Sequence, residues 1–354
     1  AIAESGPVQQ IPLTRASDEG LIVEFDPDPP YMERMSKLID LPAIRSAGLR
    51  VTVDSMFGAG AGYIARLIAG GSTTVEEING YRNPAFPGME QPEPIAHNLT
   101  TLIERIKAGG ASVGLALDGD ADRVGVVDEH GRFVTTLEVF SLLALYLLEN
   151  KGEKGALVKG ITSSSMLNRL GERFGVDVHE MKVGFKYIGP RMSEVDALMG
   201  GEESGGFAFR GHIPERDGVL SGLYILEYMA KTGSTPSQLV QHLLDQVGSH
   251  YYKRRDVSFD PQDRTRIEEL QRGIGDGGLT EVAGLHVRQT DEIDGRRLVF
   301  DDAWLIIRFS GTEPLLRLYA EAGKPELVEA LIDGAAEAYL LLDELRDAGV
   351  AVIL

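Results

Sequence analysis

A strand, small-residue turn, helix and second strand recur about a hundred residues apart, and this recurrence restricts the fold more than any other feature. Leu49-Arg-Val-Thr-Val53 has the apolar, β-branched make-up of a buried strand. Gly58-Ala-Gly-Ala-Gly62 follows as a turn, then a helix through Ile68 and a strand near Thr73–Glu77. The order returns with strand Gly155-Ala-Leu-Val-Lys-Gly160, a helix opening at Ser163-Ser-Ser165, and strand Val176–Met181. Strands alternating with helices build mostly parallel, helix-covered sheets, so two similar mixed-sheet α/β domains are expected. A helix at Ile95–Ala108, a strand at Ser112–Leu117 and an apolar helix at Leu137–Leu148 complete the first.

Beyond residue 248 the character changes. Strands are expected at Tyr251–Phe259, Gly284–Val287, Leu298–Phe300, Trp304–Phe309 and Leu315–Ala320, with helices at Asp263–Gln271 and Pro325–Leu345. Successive strands with two flanking helices describe a smaller α+β domain with an antiparallel sheet. The expected division is a Pro- and Asp-rich connecting segment at 1–44, α/β domains at 45–150 and 151–248, and the α+β domain at 249–354.

Charge and composition narrow the chemistry. A net charge of −19 argues against nucleic acid, whose phosphates are bound by clustered Lys and Arg. The absence of Cys removes disulfides, thiolate metal sites and thiol catalysis, and fits a cytoplasmic location. No window reaches the ~18 uninterrupted apolar residues of a membrane span. The start, Ala1-Ile-Ala-Glu-Ser5, has neither a basic region nor an apolar core to make a signal peptide, and its lack of an initiator Met suggests a processed or truncated chain.

Three loops, about 80 to 110 residues apart, carry the functional signal. In Asp118-Gly-Asp-Ala-Asp-Arg123, apolar runs enter and leave a tight loop with carboxylates at alternate positions, which converge easily on one hard cation, Mg²⁺ or Ca²⁺. Asp118, Asp120, Asp122 and Glu129 share the spacing of an EF-hand loop, but Arg123 replaces its glycine and the flanks are strands. A solvated acidic turn is the plain alternative, and it leaves three crowded carboxylates repelling one another. In Gly201-Glu-Glu-Ser-Gly-Gly206 the glycines admit a ligand close to the backbone, and a carboxylate accepts from vicinal hydroxyls. Lys186, His212 and Arg216 lie in neighbouring stretches and count individually as either surface charges or ligand contacts. In Arg308-Phe-Ser-Gly-Thr-Glu-Pro314 the strand period puts Arg308 and Ser310 on one face, Ser310-Gly-Thr312 offers an anion nest, and Arg317 returns on the next strand.

Together these loops resemble three of the four signature loops of the α-D-phosphohexomutases, which include phosphoglucomutase, phosphomannomutase and phosphoglucosamine mutase. Val183-Gly-Phe-Lys-Tyr-Ile188 and His212–Gly218 resemble the phosphoglucomutase/phosphomannomutase branch. The resemblance implies Mg²⁺ on Asp118, Asp120 and Asp122, with Arg123 beside it. It implies Glu202 and Ser204 on the sugar's 3- and 4-hydroxyls, with His212 and Arg216 nearby. It places Arg308, Ser310, Gly311, Thr312 and Arg317 on the unreactive phosphate, and Lys186 as an acid/base or charge stabiliser. The implied reaction passes phosphate between a phosphoserine and a hexose through a 1,6-bisphosphate, with glucose 1,6-bisphosphate as intermediate and activator. The family's Thr-Ala-Ser-His-Asn-Pro-like phosphoserine loop is missing here, so a fragment without its nucleophile domain, inactive alone, is expected. A non-catalytic sugar-phosphate-binding protein is the alternative. A phosphatase using Asp118 or Asp120 leaves the other two loops unexplained. The choice among glucose, mannose and glucosamine, and the oligomeric state, stay open.

Overall fold

The computed structural model describes residues 10–265, 279–310, 313–340 and 352–353. The chain forms two compact units, residues 1–38 and 39–354. In the first, helix α1 (Leu13–Asp18) follows Pro12, and α2 (Asp28–Leu38) opens on Asp28-Pro-Pro, where proline costs no helical hydrogen bond. Between them Leu21, Val23 and Phe25 are exposed.

The second unit starts with α3 (Leu41–Ser46), capped by the Asp40 carboxylate on the Ala43 N–H. Strand β1 (Arg50–Asp54), helix α4 (Tyr63–Ile68), β2 (Thr74–Ile78), α5 (Thr100–Lys107), β3 (Val113–Leu117), β4 (Val124–Val127) and β5 (Phe133–Val134) follow. The sheet order is β2-β1-β3-β4-β5, parallel across the first three and antiparallel thereafter. All five residues of β3 are buried, as a continuous apolar run in a covered parallel strand must be.

Helix α6 (Thr136–Leu145) starts at a capping box of Thr135 and Glu138 and continues as a wider turn over Tyr146–Asn150. Then come β6 (Leu157–Gly160), α7 (Met166–Phe174), β7 (Val178–Met181), α8 (Phe185–Val195), β8 (Met199–Gly201), β9 (Phe207–Phe209), α9 (Gly218–Thr232) and α10 (Pro236–Val247). The second sheet has order β7-β6-β8-β9, parallel across β7-β6-β8 and antiparallel at β8-β9. This repeats the topology of the first, so the β3–β4 and β8–β9 hairpins are equivalent. The first carries Asp118–Arg123 and the second Glu202–Gly206.

The two sheets share a helix. Gly222 of α9 lies against Leu115, Ile64 and Val124 of the first layer, while Tyr224 packs on Phe209 of the second with centroids 4.7 Å apart. Phe140 of α6 packs on Phe207 at 5.1 Å.

The last part holds β10 (Tyr251–Phe259), the short hairpin β11 (Glu281–Val282) and β12 (Leu285–His286), then β13 (Gln289–Asp291), β14 (Arg296–Val299), β15 (Ala303–Phe309), β16 (Leu315–Ala322), helix α11 (Pro325–Leu340) and β17 (Val352–Ile353). The six-stranded sheet runs β13-β14-β15-β16-β10-β17, antiparallel throughout. The helix expected at Asp263–Gln271 lies outside the described residues beyond Thr265. Strand alternation sends Leu305, Ile307, Leu316 and Leu318 into one core with Leu331, Ile332 and Ala335 of α11. Trp304, Ile306 and Tyr319, on the opposite face, pack with Ile161 of the preceding layer. No described helix is long and apolar enough to cross a membrane.

Candidate functional site

The loop after β3 is shaped by its own backbone. Asp118, buried at the strand end, accepts the Arg123 N–H at 2.9 Å and the Arg123 Nε at 2.7 Å, closing a six-residue turn in which Ala121 takes a left-handed φ of 63°. One oxygen from each of Asp118, Asp120 and Asp122 lies within 4.8 Å of the others. Burial, with the neighbouring Asp122 charge, outweighs Arg123 and pushes the Asp118 carboxyl up to about 7. A cluster made only of carboxylate oxygens, whose full ionisation is opposed, fits a hard divalent cation.

This loop rests on its counterpart in the second sheet. Val124 N–H donates to Gly205 O at 3.1 Å, Gly218 N–H to Ala121 O at 2.9 Å, and Thr136 Oγ1 to Glu203 O at 2.5 Å. A Cβ on Gly218 would lie 2.4 Å from the Arg123 carbonyl oxygen, so only glycine lets α9 start there. Arg216 joins the loops by charge: it is 2.6 Å from Asp122 Oδ2 and 3.4 Å from Glu202 Oε2. Glu202 also accepts the Gly184 N–H at 3.1 Å, and burial, opposed by Arg216, pushes its carboxyl upward.

Two spaces open beside these loops. The larger, ≈ 990 Å³, is lined by Arg123, Glu203, Ser204, Arg254 and Arg317 among others. The smaller, ≈ 160 Å³, is lined by Thr162, Glu202, Glu203, Ser204, Arg254, Arg317 and Tyr319. Members of all three sequence loops or their immediate neighbours thus meet around one opening. Lys186, His212, Arg216, Arg308 and Ser310 line neither space. Lys186 is exposed in the first turn of α8, its Nζ 5.1 Å from the Tyr187 ring centroid. His212 Nε2 is 3.0 Å from Asp217, whose carboxylate caps α9 at Leu220 N–H. Arg308 Nε donates to Asp294 at 2.9 Å, and Asp294 also accepts the Val183 N–H. Ser310 is buried, and its Oγ accepts the Glu313 N–H at 3.2 Å. Arg317 donates to Glu313 at 2.6 Å. Gly311 and Thr312 lie outside the described residues.

Sequence reading missed Glu93, which accepts from Arg123 at 3.1 Å, and Arg254 with its partner Asp256. The strand period puts Tyr252, Arg254 and Asp256 on one face of β10, but only its register against β16 reveals that this is the face of Arg317.

Family models agree with this layout. "Phosphoglucomutase/phosphomannomutase, alpha/beta/alpha domain II" matches residues 29–131, domain III matches 137–247, and the C-terminal domain matches 263–338. The chain belongs to the phosphoglucomutase/phosphomannomutase family. The first domain of that family is not among the matches. A phosphoglucomutase/phosphomannomutase of Thermococcus kodakarensis is 34% identical over 84% of this chain and 62% of its own length. A phosphoglucosamine/phosphogalactosamine mutase of Sulfurisphaera tokodaii is 28% identical over 86% of this chain and 64% of its own. The crystal structure of a candidate phosphomannomutase from Thermus thermophilus is 34% identical, covers 89% of this chain and 65% of that one, and superposes with a TM-score of 0.74. The chain therefore spans less than two thirds of the length of these family members. The expected boundary near residue 150 falls inside the stretch matched to domain III, whose model takes in α6.

Proposed function

We propose that this chain forms the metal-, sugar- and phosphate-binding parts of a phosphohexomutase that interconverts hexose 1-phosphate and hexose 6-phosphate. The observation that carries the reading is the opening shared by Arg123, Ser204 and Glu313, one residue from each loop, with Arg317 from the strand that follows, since a phosphorylated sugar presents a reacting phosphate, hydroxyls and a second anchoring end at once.

Asp118, Asp120 and Asp122 would hold Mg²⁺, which when bound neutralises charge developing on a transferring phosphoryl group. Arg123, fixed by Asp118 and Glu93, projects a guanidinium toward the same opening. Glu202 and Ser204 bind sugar hydroxyls, and Arg216 orients Glu202 from its position on Asp122. Arg308, Ser310 and Arg317, with Gly311 and Thr312 between them, take the phosphate that does not react. Lys186, among the described residues without a carboxylate partner, is free to meet the transferring phosphate. His212 acts through Asp217 at the α9 cap. The phosphoserine and the first domain belong to the longer protein, with a hexose 1,6-bisphosphate passing between its two orientations. The name of the Sulfurisphaera tokodaii relative keeps hexosamine phosphates within the substrate class.

The test is a pair of measurements on the purified chain with Mg²⁺ and glucose 1,6-bisphosphate. Glucose 6-phosphate should bind by calorimetry, while glucose 1-phosphate should not be converted. Turnover that co-purifies with the chain would place a phosphorylatable residue inside it and overturn the assignment of the nucleophile to a first domain.

A further inference from the structure

Arg308 and Arg317 share their sheet face with a third guanidinium that has no assigned role. β10 pairs with β16 so that Arg254 lies opposite Tyr319 and Asp256 opposite Arg317, and β15 pairs with β16 so that Arg308 lies opposite Arg317. Directly paired residues project from the same face. Arg254, Arg317 and Arg308 therefore rise together, with Arg254 spread over the Tyr319 ring at 5.8 Å. Arg254 and Arg317 line both the larger and the smaller space, as Ser204 does, whereas Arg308 lines neither.

One carboxylate lies between the two. Arg254 grips Asp256 through two bonds, Nε to Oδ1 at 2.6 Å and the terminal nitrogen to Oδ2 at 2.5 Å. Asp256 Oδ2 is also 3.7 Å from Arg317 Nε, a buried nitrogen that makes no hydrogen bond among the described residues. Asp256 thus half-satisfies a pair of guanidiniums that would otherwise repel. The Arg254–Asp256 pair is 37% and 31% exposed, so an incoming anion can reach both members. A phosphate monoester brings up to two charges and three acceptor oxygens to two guanidiniums whose anionic partners are Asp256, which both approach, and the half-exposed Glu313 on Arg317.

We propose that Arg254 is a phosphate ligand, and that the unreactive phosphate of a hexose phosphate displaces Asp256 from between Arg254 and Arg317. Asp256 is then a built-in competitor that keeps the arginines together until the phosphate arrives. The inference rests on the proposed function, since it takes Arg317 as a phosphate contact.

Calorimetric titration of the whole chain with inorganic phosphate and with glucose 6-phosphate tests it, using Arg254→Met, Arg254→Lys, Asp256→Asn and Arg317→Met, each checked by thermal melting. Losing a charge-assisted pair of bonds should weaken glucose 6-phosphate binding about tenfold in Arg254→Met. Arg254→Lys should recover little, because an ammonium lacks the planar fork. Asp256→Asn should bind more tightly than the parent. If Arg317→Met weakens binding while Arg254→Met and Asp256→Asn leave it unchanged, Arg254 is only an ion-pair partner and the inference falls alone. If Arg317→Met also binds like the parent, or the parent binds neither probe, the phosphate assignment of the whole sheet face falls with it.

Discussion

Around Asp118 the crowded charges are carboxylates, and the arginines that offset them come from the loop itself and from the stretch before α9. On the C-terminal sheet the crowded charges are arginines, and Asp256, Asp294 and Glu313 offset them. The two regions also differ in what holds them. The Asp118 loop is fixed by backbone contact, with glycines at 58 and 218 lying where a Cβ would strike the carbonyl oxygens of Gly119 and Arg123 at 2.6 and 2.4 Å. The arginine face is held by side-chain pairs, one member often on the solvent side, as with Glu313 at 55% exposure. The Asp118 loop is built to stay put and the arginine face to exchange partners.

The strongest way to break that contrast is Gly218→Ala. A backbone carbonyl cannot swing aside, so the variant should lose about 3 to 4 kcal/mol in denaturant unfolding, together with its stabilisation by Mg²⁺. A melt unchanged from the parent would mean the loop yields and the backbone argument is wrong.

A smaller effect should appear in acid, at the junction that seats the arginine face on the second sheet. Burial raises the Glu180 carboxyl, but Lys159 at 3.2 Å and Arg297 at 2.7 Å outweigh it and hold the group down at about 2. Its ionised form is therefore favoured by folding. That contribution is complete above the ordinary value of 4.5 and is lost as the pH falls toward 2. Unfolding free energies of the parent and Glu180→Gln should converge by up to about 2 to 3 kcal/mol across that window. Parallel curves would remove Glu180 as the source.

The mildest change sharpens the contrast from the other side. Glu313→Gln removes the exposed anion on Arg317 and should tighten phosphate two- to threefold, in line with the small worth of exposed pairs, without moving the melting temperature. Weaker binding would show that Glu313 positions Arg317 and does not compete for it.

The parts legible in the sequence are those written locally. The strand runs, the small-residue turns and the three loops announce themselves within a few residues, and the β3–β4 and β8–β9 hairpins lie where their motifs imply. The partners of those motifs were not legible. Asp294 meets Arg308 from fourteen residues upstream, and Arg254 reaches the site through a strand register spanning more than sixty residues, neither of which leaves a local pattern. The stretch 1–44, expected to connect with one helix near Met32–Leu41, carries α1 and α2, and α3 begins within it. The helix over Thr136–Leu145 was correctly seen as apolar, but apolarity does not say which sheet it will cover.

The sharing of α9 also bears on how the chain is made. A ribosome has released every strand of the first sheet by Val134, yet the helix whose Gly222 fits against Leu115 and Val124 is unfinished until Thr232. For almost a hundred residues of synthesis that apolar surface waits for a piece not yet translated, while α6 and the second sheet emerge in between. The earliest moment at which the first layer can close is thus set by the completion of the second, and the interval is where a chaperone would find its substrate.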